Sequence, residues 1–586
     1  MTRRLIAAVV VALAVLAGAE PAAAHSSSEP IGRVLVLSLP AVTWADVQQT
    51  DTPNLDALFA ESALADLITR VGGRRFSVGN GYVALGAGNR AVASDRLVGN
   101  AYDVDEEVPG GTAGEVFSRR TGEVISSGLV QLSIEQILAD NAGSLYEATV
   151  GALADTLAEA GIDRAVIGNA DGVEAGAADL DAGVRRPAVA GLMGSGGTVP
   201  AGQVDESLLQ TAPRFPSGVR LDAERVDDAF ANVWSANTVV LVEASDQLRA
   251  LRAEPFTSAG QARINRLQAL RHFDTIAGRL LSRVDPNRDA VVVMSPMSAP
   301  ASGELAITAV RAPGVERGLL RSATTRRTGF VNLVDIAPTV LDLLSLDPPD
   351  EMEGREVTVE PPAGAVDGRV SWLARTGRDG VFRDNQQGAV TAVLIGLTAV
   401  LALGTGLALA RARAARAAAR FGALSLLGFL LATYAAGPFH FAHHGGRNAY
   451  WVFLIAFALG FGVVCAVAGR RSLADALLVA LGITVLVHAG DLVTGERLEL
   501  NTVLGYSPTV GIRVAGEGNL TFAQLSAATI LLAGLVTWRI ARPVGRVVAI
   551  TMLAVVLVVM TSPTWGQDFG AVSAVAGFAL LAWLLL

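Results

Sequence analysis

Arg33-Val-Leu-Val-Leu-Ser-Leu-Pro40, followed closely by Thr52-Pro-Asn-Leu-Asp-Ala-Leu58, decides the fold. The first run is apolar at consecutive positions with no alternation, the pattern of a strand covered on both faces. In the second, Thr52 precedes a Pro whose missing N–H costs nothing in a first helical turn, which predicts a helix through Ala63. Three more short apolar runs repeat the strand pattern: Arg164-Ala-Val-Ile-Gly168, Thr238-Val-Val-Leu-Val-Glu243 and Ala290-Val-Val-Val-Met294. Amphipathic stretches at Tyr146–Ala160 and Gly260–Val284 lie among them. Strands alternating with helices predict an α/β fold with a doubly wound, mostly parallel sheet, and Arg33–Leu39 at or near its centre. In such sheets ligands bind beyond the carboxyl ends of the strands. The segments to inspect are therefore Ser38–Asp46, Asn169–Asp171, Glu243–Asp246 and Ser295–Ser302.

That domain is only part of the chain. The 586 residues are 51% hydrophobic and 17% charged, too apolar for one soluble enzyme. The excess lies after Gly388, where acidic residues are reduced to Asp475, Asp491, Glu496, Glu499, Glu517 and Asp568. The first part is correspondingly acidic, and an acidic surface repels polyphosphate, so nucleic acid is not an expected partner. Every basic residue is Arg, which excludes Schiff-base and Walker-type lysine chemistry. The single Cys465 excludes an intrachain disulfide and a cysteine-rich zinc site.

Residues 1–24 read as a signal peptide. Arg3 and Arg4 precede an apolar Leu5–Leu16, and Ala22-Ala-Ala24 offers a cleavage site before His25. Residues 25–385 then form the extracytoplasmic domain and 386–586 a polytopic membrane module of about seven helices. Candidate spans are Gly388–Ala410, Phe421–Pro438, Tyr450–Gly469, Ser472–Gly490, Phe522–Ile540, Arg546–Thr561 and Phe569–Leu586. Arginines recur on every other connecting loop: Arg411, Arg413, Arg416 and Arg420, then Arg470 and Arg471, then Arg539, Arg542 and Arg546. By the positive-inside rule those loops are cytoplasmic, and the large domain lies outside. The expected location is the cell membrane, with the bilayer as the one certain partner.

Val34–Pro40 with Thr52–Leu58, and Phe330-Val-Asn-Leu-Val-Asp-Ile-Ala-Pro-Thr-Val-Leu-Asp-Leu-Leu344 followed by Met352-Glu-Gly-Arg355, resemble the opening and closing motifs of the alkaline phosphatase superfamily. That superfamily includes sulfatases and phosphoethanolamine transferases. Gly81-Tyr-Val-Ala-Leu-Gly-Ala-Gly-Asn-Arg90 and Leu504-Gly-Tyr-Ser-Pro508 resemble a narrower group of actinobacterial-type membrane proteins that join such a domain to a polytopic tail. The resemblance implies a two-metal ester hydrolase or transferase, with an Asp ligand after the first strand and His ligands after later ones.

Those donors are missing. Pro40 stands where the first ligand is implied, and a proline side chain has no donor atom. No His follows Asp246 or Met294, and the mature domain holds only His25 and His272. His272 reads as a solvated or capped surface residue. Without imidazole or thiolate the usual zinc pair cannot be built. Asp46, Asp171, Glu243 and Asp246 lie near strand ends and offer a carboxylate-only site for Mg²⁺ or Mn²⁺; the competing reading has them capping helices or facing solvent. Ser77, before the Gly-rich stretch, falls about where the superfamily has its nucleophile. Gly86-Ala-Gly88, in the turn-rich stretch Gly81–Gly88, could bring backbone N–H groups toward an anion. Asp335, ahead of Ile336-Ala-Pro338, reads as a helix N-cap.

In the membrane module His440, His443 and His444, with Tyr506, Arg513 and Asn519 of the fourth loop, are candidates for a membrane-surface site binding an envelope lipid or glycan carrier. The leading expectation is a degenerate domain without cofactor that binds a ligand or scaffolds envelope machinery. Its rival is an active hydrolase or headgroup transferase using Ser77 and carboxylate-bound Mg²⁺ or Mn²⁺. A third reading is a transporter with a sensing ectodomain.

Overall fold

The computed structural model describes residues 31–72, 77–172, 184–300, 302–361, 365–409, 413–509, 514–540, 543–562 and 565–566. The expected signal peptide and the last span, Phe569–Leu586, lie outside them. Two compact units divide the rest, one from Ser28–Val381 with Pro508–Val514, the other from Phe382–Ser507 with Ala515–Leu586.

The first unit is built on a ten-stranded sheet. In chain order its strands are β1 (Arg33–Ser38), β2 (Ala63–Ile68), β3 (Asp163–Ile167), β4 (Ala201–Gln203), β5 (Thr238–Glu243), β6 (Asp289–Met294), β7 (Ala306–Arg311), β8 (Leu319–Ser322), β9 (Phe330–Asn332) and β10 (Val357–Glu360). The order across the sheet is β10-β8-β2-β7-β6-β1-β5-β3-β4, with β9 also on β2. From β6 to β4 neighbouring strands are parallel, whereas β7 runs antiparallel to both β6 and β2. The sheet is thus mixed, and β1 sits inside its parallel half, between β5 and β6. The unbroken apolar run of β1 follows from that position. Val34 and Val36 enter one core layer, Leu35 and Leu37 the other.

Helices cover both faces. Among those that bear on the site are α1 (Trp44–Gln49), α2 (Pro53–Glu61), α3 (Val78–Ala87), α4 (Ser245–Ala253), α5 (Ala259–Leu281) and α6 (Ile336–Leu343). Two expectations need correction. The helix after Thr52 ends at Glu61, and Ala63 opens β2 instead. Every residue of that strand is buried, so a short apolar run pairing with β7 overrides its Ala-rich helical propensity. The Gly-rich stretch from Gly81 is not a loop but the body of α3, whose residues Gly79–Ala87 are all buried.

The second unit is helical. With α7 (Val366–Leu409), which begins in the first unit, its long helices are α8 (Arg413–Ala435), α9 (Gly446–Ala468), α10 (Leu473–Val493), α11 (Asn519–Arg539) and α12 (Val544–Thr561). Among the described residues these six are long and apolar enough to cross a membrane.

Candidate functional site

Parallel pairing brings the carboxyl ends of β1, β5 and β6 to one edge, where Ser38 lies in register with both Glu243 and Met294. The chain turns there are tightly closed. Leu39 N donates to Met294 O (2.8 Å) and Ala244 N to Ser38 O (2.8 Å). After β6, the Ser295 hydroxyl accepts from Ala41 N (3.1 Å) and donates to Met297 O (2.7 Å).

Tyr82 of α3 reaches into this edge. Its hydroxyl donates to Glu243 Oε2 (2.7 Å) and lies 2.7 Å from Ser38 Oγ, while Ser245 Oγ donates to Glu243 Oε1 (2.6 Å). With the tyrosine proton committed to the carboxylate, Ser38 is the donor to Tyr82. Ser38, Tyr82, Glu243 and Ser245 are all fully buried. Burial raises the Glu243 carboxyl, and the two hydroxyl donors oppose that rise. Gly81 lets α3 approach this closely, because a Cβ there would stand 1.8 Å from the carbonyl oxygen of Pro296.

Beside this cluster runs an ionic chain. Arg249, fully buried, donates to Asp246 Oδ1 (2.6 Å), Asn169 O (2.5 Å) and Asp171 O (2.9 Å). The Asp171 carboxylate is held by Arg186 (2.8 Å), which also pairs with Glu106. His272, halfway along α5, is half-buried. Its Nε2 lies 2.9 Å from Leu221 O and 3.9 Å from Asp246 Oδ2, so it joins the end of this network and is not the solvated residue expected.

Asp46 lies on α1 and makes a capping box with Thr43, its Oδ2 accepting from Thr43 N (3.1 Å) and Oγ1 (2.8 Å). The four carboxylates are therefore committed to different partners: a helix cap, Arg186, Tyr82 with Ser245, and Arg249. Among the described residues no three or more His, Cys, Asp or Glu side chains are grouped to hold a metal ion. Ser77 N-caps α3, its Oγ accepting from Asn80 N (3.1 Å) and donating to Asp95 Oδ1 (2.7 Å). Gly86 packs inside α3 toward Ala190 O, and Gly88 takes the left-handed conformation that ends the helix, so neither forms an anion loop. The Asp335 side chain does not cap α6. It accepts from Asn332 N (2.9 Å), Arg355 N (3.0 Å) and Thr324 Oγ1 (2.7 Å), tying Phe330–Asn332 to Met352–Arg355.

Near Asp46, burial and then the Asp46 charge push the Glu304 carboxyl from 4.5 up to about 7. The folded state then keeps a proton that the unfolded chain has lost. Its stabilising contribution is full below about pH 4.5 and is lost as pH rises through about 7. Chemical denaturation of the full chain across that window should show stability falling with pH, and Glu304→Gln should flatten the slope. A variant with the parent's slope would assign the titration elsewhere.

In the second unit His440 and His444 are exposed and His443 is half-buried, all just after Gly437–Phe439. Asn519 is exposed and opens α11, the Tyr506 hydroxyl donates to Glu517 O (2.8 Å), and Arg513 lies outside the described residues. Among the described residues the fourth loop is packed. Asp491 at its start and Glu496, Glu499 and Glu517 within it are buried. Arg383 donates to the carbonyls of Thr502 (2.9 Å) and Val503 (3.1 Å). Burial, reinforced by Asp491 and Glu496, raises the Glu499 carboxyl to about 8.

Sequence reasoning missed Tyr82, Arg186 and Arg249. The first was legible only as an aromatic in a Gly-rich stretch. The arginines carried no signal, since their partners come from distant segments.

No protein-family model and no curated protein matches the chain. Solved structures to which it is similar include a protein in the alkaline phosphatase superfamily from Vibrio parahaemolyticus, at 14% identity and TM-score 0.33, covering 59% of this chain and 77% of that one. Another is the phosphonate monoester hydrolase SpPMH from Silicibacter pomeroyi (12%, TM-score 0.29, 56% and 75%). A third is the C-terminal periplasmic domain of EcEptC from Escherichia coli (10%, TM-score 0.28, 56% and 86%). At these values nothing about activity passes from them to this chain.

Proposed function

We propose that this chain is a multi-pass membrane protein whose large N-terminal domain lies outside the cytoplasm. In this reading the domain is a catalytically degenerate relative of the alkaline phosphatase superfamily that binds a ligand or scaffolds the cell envelope. One observation carries the reading: the strand ends are closed by the Ser38–Tyr82–Glu243–Ser245 cluster. The residues there do not fit a zinc pair. Pro40 has no donor atom, Glu243 is shared between two hydroxyls, and Asp246 and Asp171 are neutralised by arginines. No step through a metal is derived.

Full-length protein, purified in detergent and dialysed, should carry well under one zinc per chain by elemental analysis, with no zinc-dependent hydrolysis of an aryl phosphate or sulfate. Ser77→Ala should cost about 1 kcal/mol, the value of a lost N-cap. Stoichiometric zinc, or a phosphatase activity that Ser77→Ala abolishes, would overturn this reading. It would favour the rival, a hydrolase acting on an envelope lipid or glycan with Mg²⁺ or Mn²⁺, for which the Ser77–Asp95 hydrogen bond speaks.

The sidedness rests on the alternating arginine loops and the signal peptide. An alkaline-phosphatase reporter joined after Asn385 should be active, and one joined after Arg416 inactive. The reverse pattern ends the topological reading.

A further inference from the structure

An open cleft of about 590 Å³ lies between the β-hairpin Leu209–Leu221 and the middle of α5. Arg214, Arg220 and Arg271 line it together with His272, and no carboxylate is among the lining residues. Several other arginines of this domain are ion-paired: Arg249 with Asp246, Arg186 with Asp171 and Glu106, Arg283 with Asp227, Arg33 with Asp289. The three cleft guanidinium groups have no ion pair or side-chain hydrogen bond among the described residues. Arg220 Nε is buried without a partner. Three guanidinium groups lining one cleft, one of them with an unsatisfied buried donor, favour the entry of a counter-charge.

We propose that this cleft binds a small ligand bearing two or more oxyanion groups. Guanidinium forks take phosphate, sulfate or carboxylate oxygens in bidentate pairs, which favours an oxyanion over a halide. The volume lies within the range of small-molecule sites and exceeds what one tetrahedral anion fills. Ala212, Pro213 and Phe215 supply an apolar wall against which the body of such a ligand rests. His272 also lines the cleft, its Nε2 lying 2.9 Å from Leu221 O. The inference stands on the cleft alone and holds whether or not the strand ends carry chemistry.

The test uses full-length protein in neutral-lipid nanodiscs, titrated calorimetrically with inorganic pyrophosphate. Saturable binding to one site is expected, weakening as salt rises. Arg220→Gln and Arg271→Gln should each raise Kd by about tenfold or more, the value of one charge-assisted hydrogen bond. Arg271 is exposed, so its variant reports on binding even if Arg220→Gln fails to fold. Repeating the titration in discs containing phosphatidylglycerol separates the sources. Weaker apparent binding that Arg271→Gln relieves marks a lipid headgroup, and unchanged binding marks a soluble ligand. No saturable binding at millimolar pyrophosphate, or a Kd that neither variant moves, overturns the proposal.

Discussion

Arg249→Ala should destabilise the large domain by about 3–5 kcal/mol, the cost of stranding one member of a buried ion pair. Arg249 is fully buried and Asp246 is 2% exposed, so water cannot replace the lost partner. The guanidinium also satisfies the carbonyls of Asn169 and Asp171, two segments with no covalent tie to α4 nearby. Among the described residues its removal leaves Asp246 with Leu221 N and the imidazole of His272. Urea denaturation of the full chain, followed by a probe in the large domain, measures the effect. Asp246→Asn in the Arg249→Ala background should recover part of the loss, because a neutral amide needs no compensating charge. A loss below about 1 kcal/mol would mean the pair behaves as a solvated one.

The second large effect is expected at Gly81. A Cβ there would lie 1.8 Å from the Pro296 oxygen and 2.6 Å from its carbonyl carbon. Both are backbone atoms in a turn held by Ser295 and Ala41, so neither can swing aside. Relief requires moving α3, and that draws Tyr82 away from Glu243 and Ser38. Overpacking ordinarily costs about 1–3 kcal/mol, and stranding the buried carboxylate adds to it. Gly81→Ala should therefore fail to accumulate as folded protein, or show a large domain open to limited proteolysis. Gly260→Ala in α5 is the control, since a Cβ there meets nothing within 4 Å. Gly81→Ala with the parent's protease resistance would show that α3 stands further from Pro296 than described.

What could be read in the sequence follows burial. The expected strand Thr238–Glu243 is observed unchanged, and the runs at Arg33, Arg164 and Ala290 shift by about one residue. Each is paired on both edges and, past its first residue, buried on both faces, so nearly every side chain records the same environment. The other half, where parallel and antiparallel pairs mix, was not legible. Ala63–Ile68 is too rich in Ala to announce a strand, and Leu319–Ser322 and Val357–Glu360 lie at the sheet margin, where burial is partial. At the site, Glu243, Asp171 and Asp246 were named from their position after strands. Their partners Tyr82, Arg186 and Arg249 were not, because a pairing between distant segments leaves no periodic trace. Asp46 was read as a strand-end donor, and its Thr43 cap shows that a strand end and a helix start can coincide within a few residues.

The strand order also sets an order of events. Both strands that pair with β1 come far later in the chain: β5 on one edge and β6 on the other, with the Arg33–Asp289 pair spanning 256 positions. Loop closure over such distances is slow, and ladders of this kind form late. Both edges of this early strand therefore wait for segments made much later. Until Glu243 has emerged, Val34–Leu37 presents two bare, apolar edges that can pair with another chain, and until Met294 has emerged it still presents one. Yield of folded protein should accordingly depend on how well the nascent chain is shielded during that interval, more than on the final stability of the sheet.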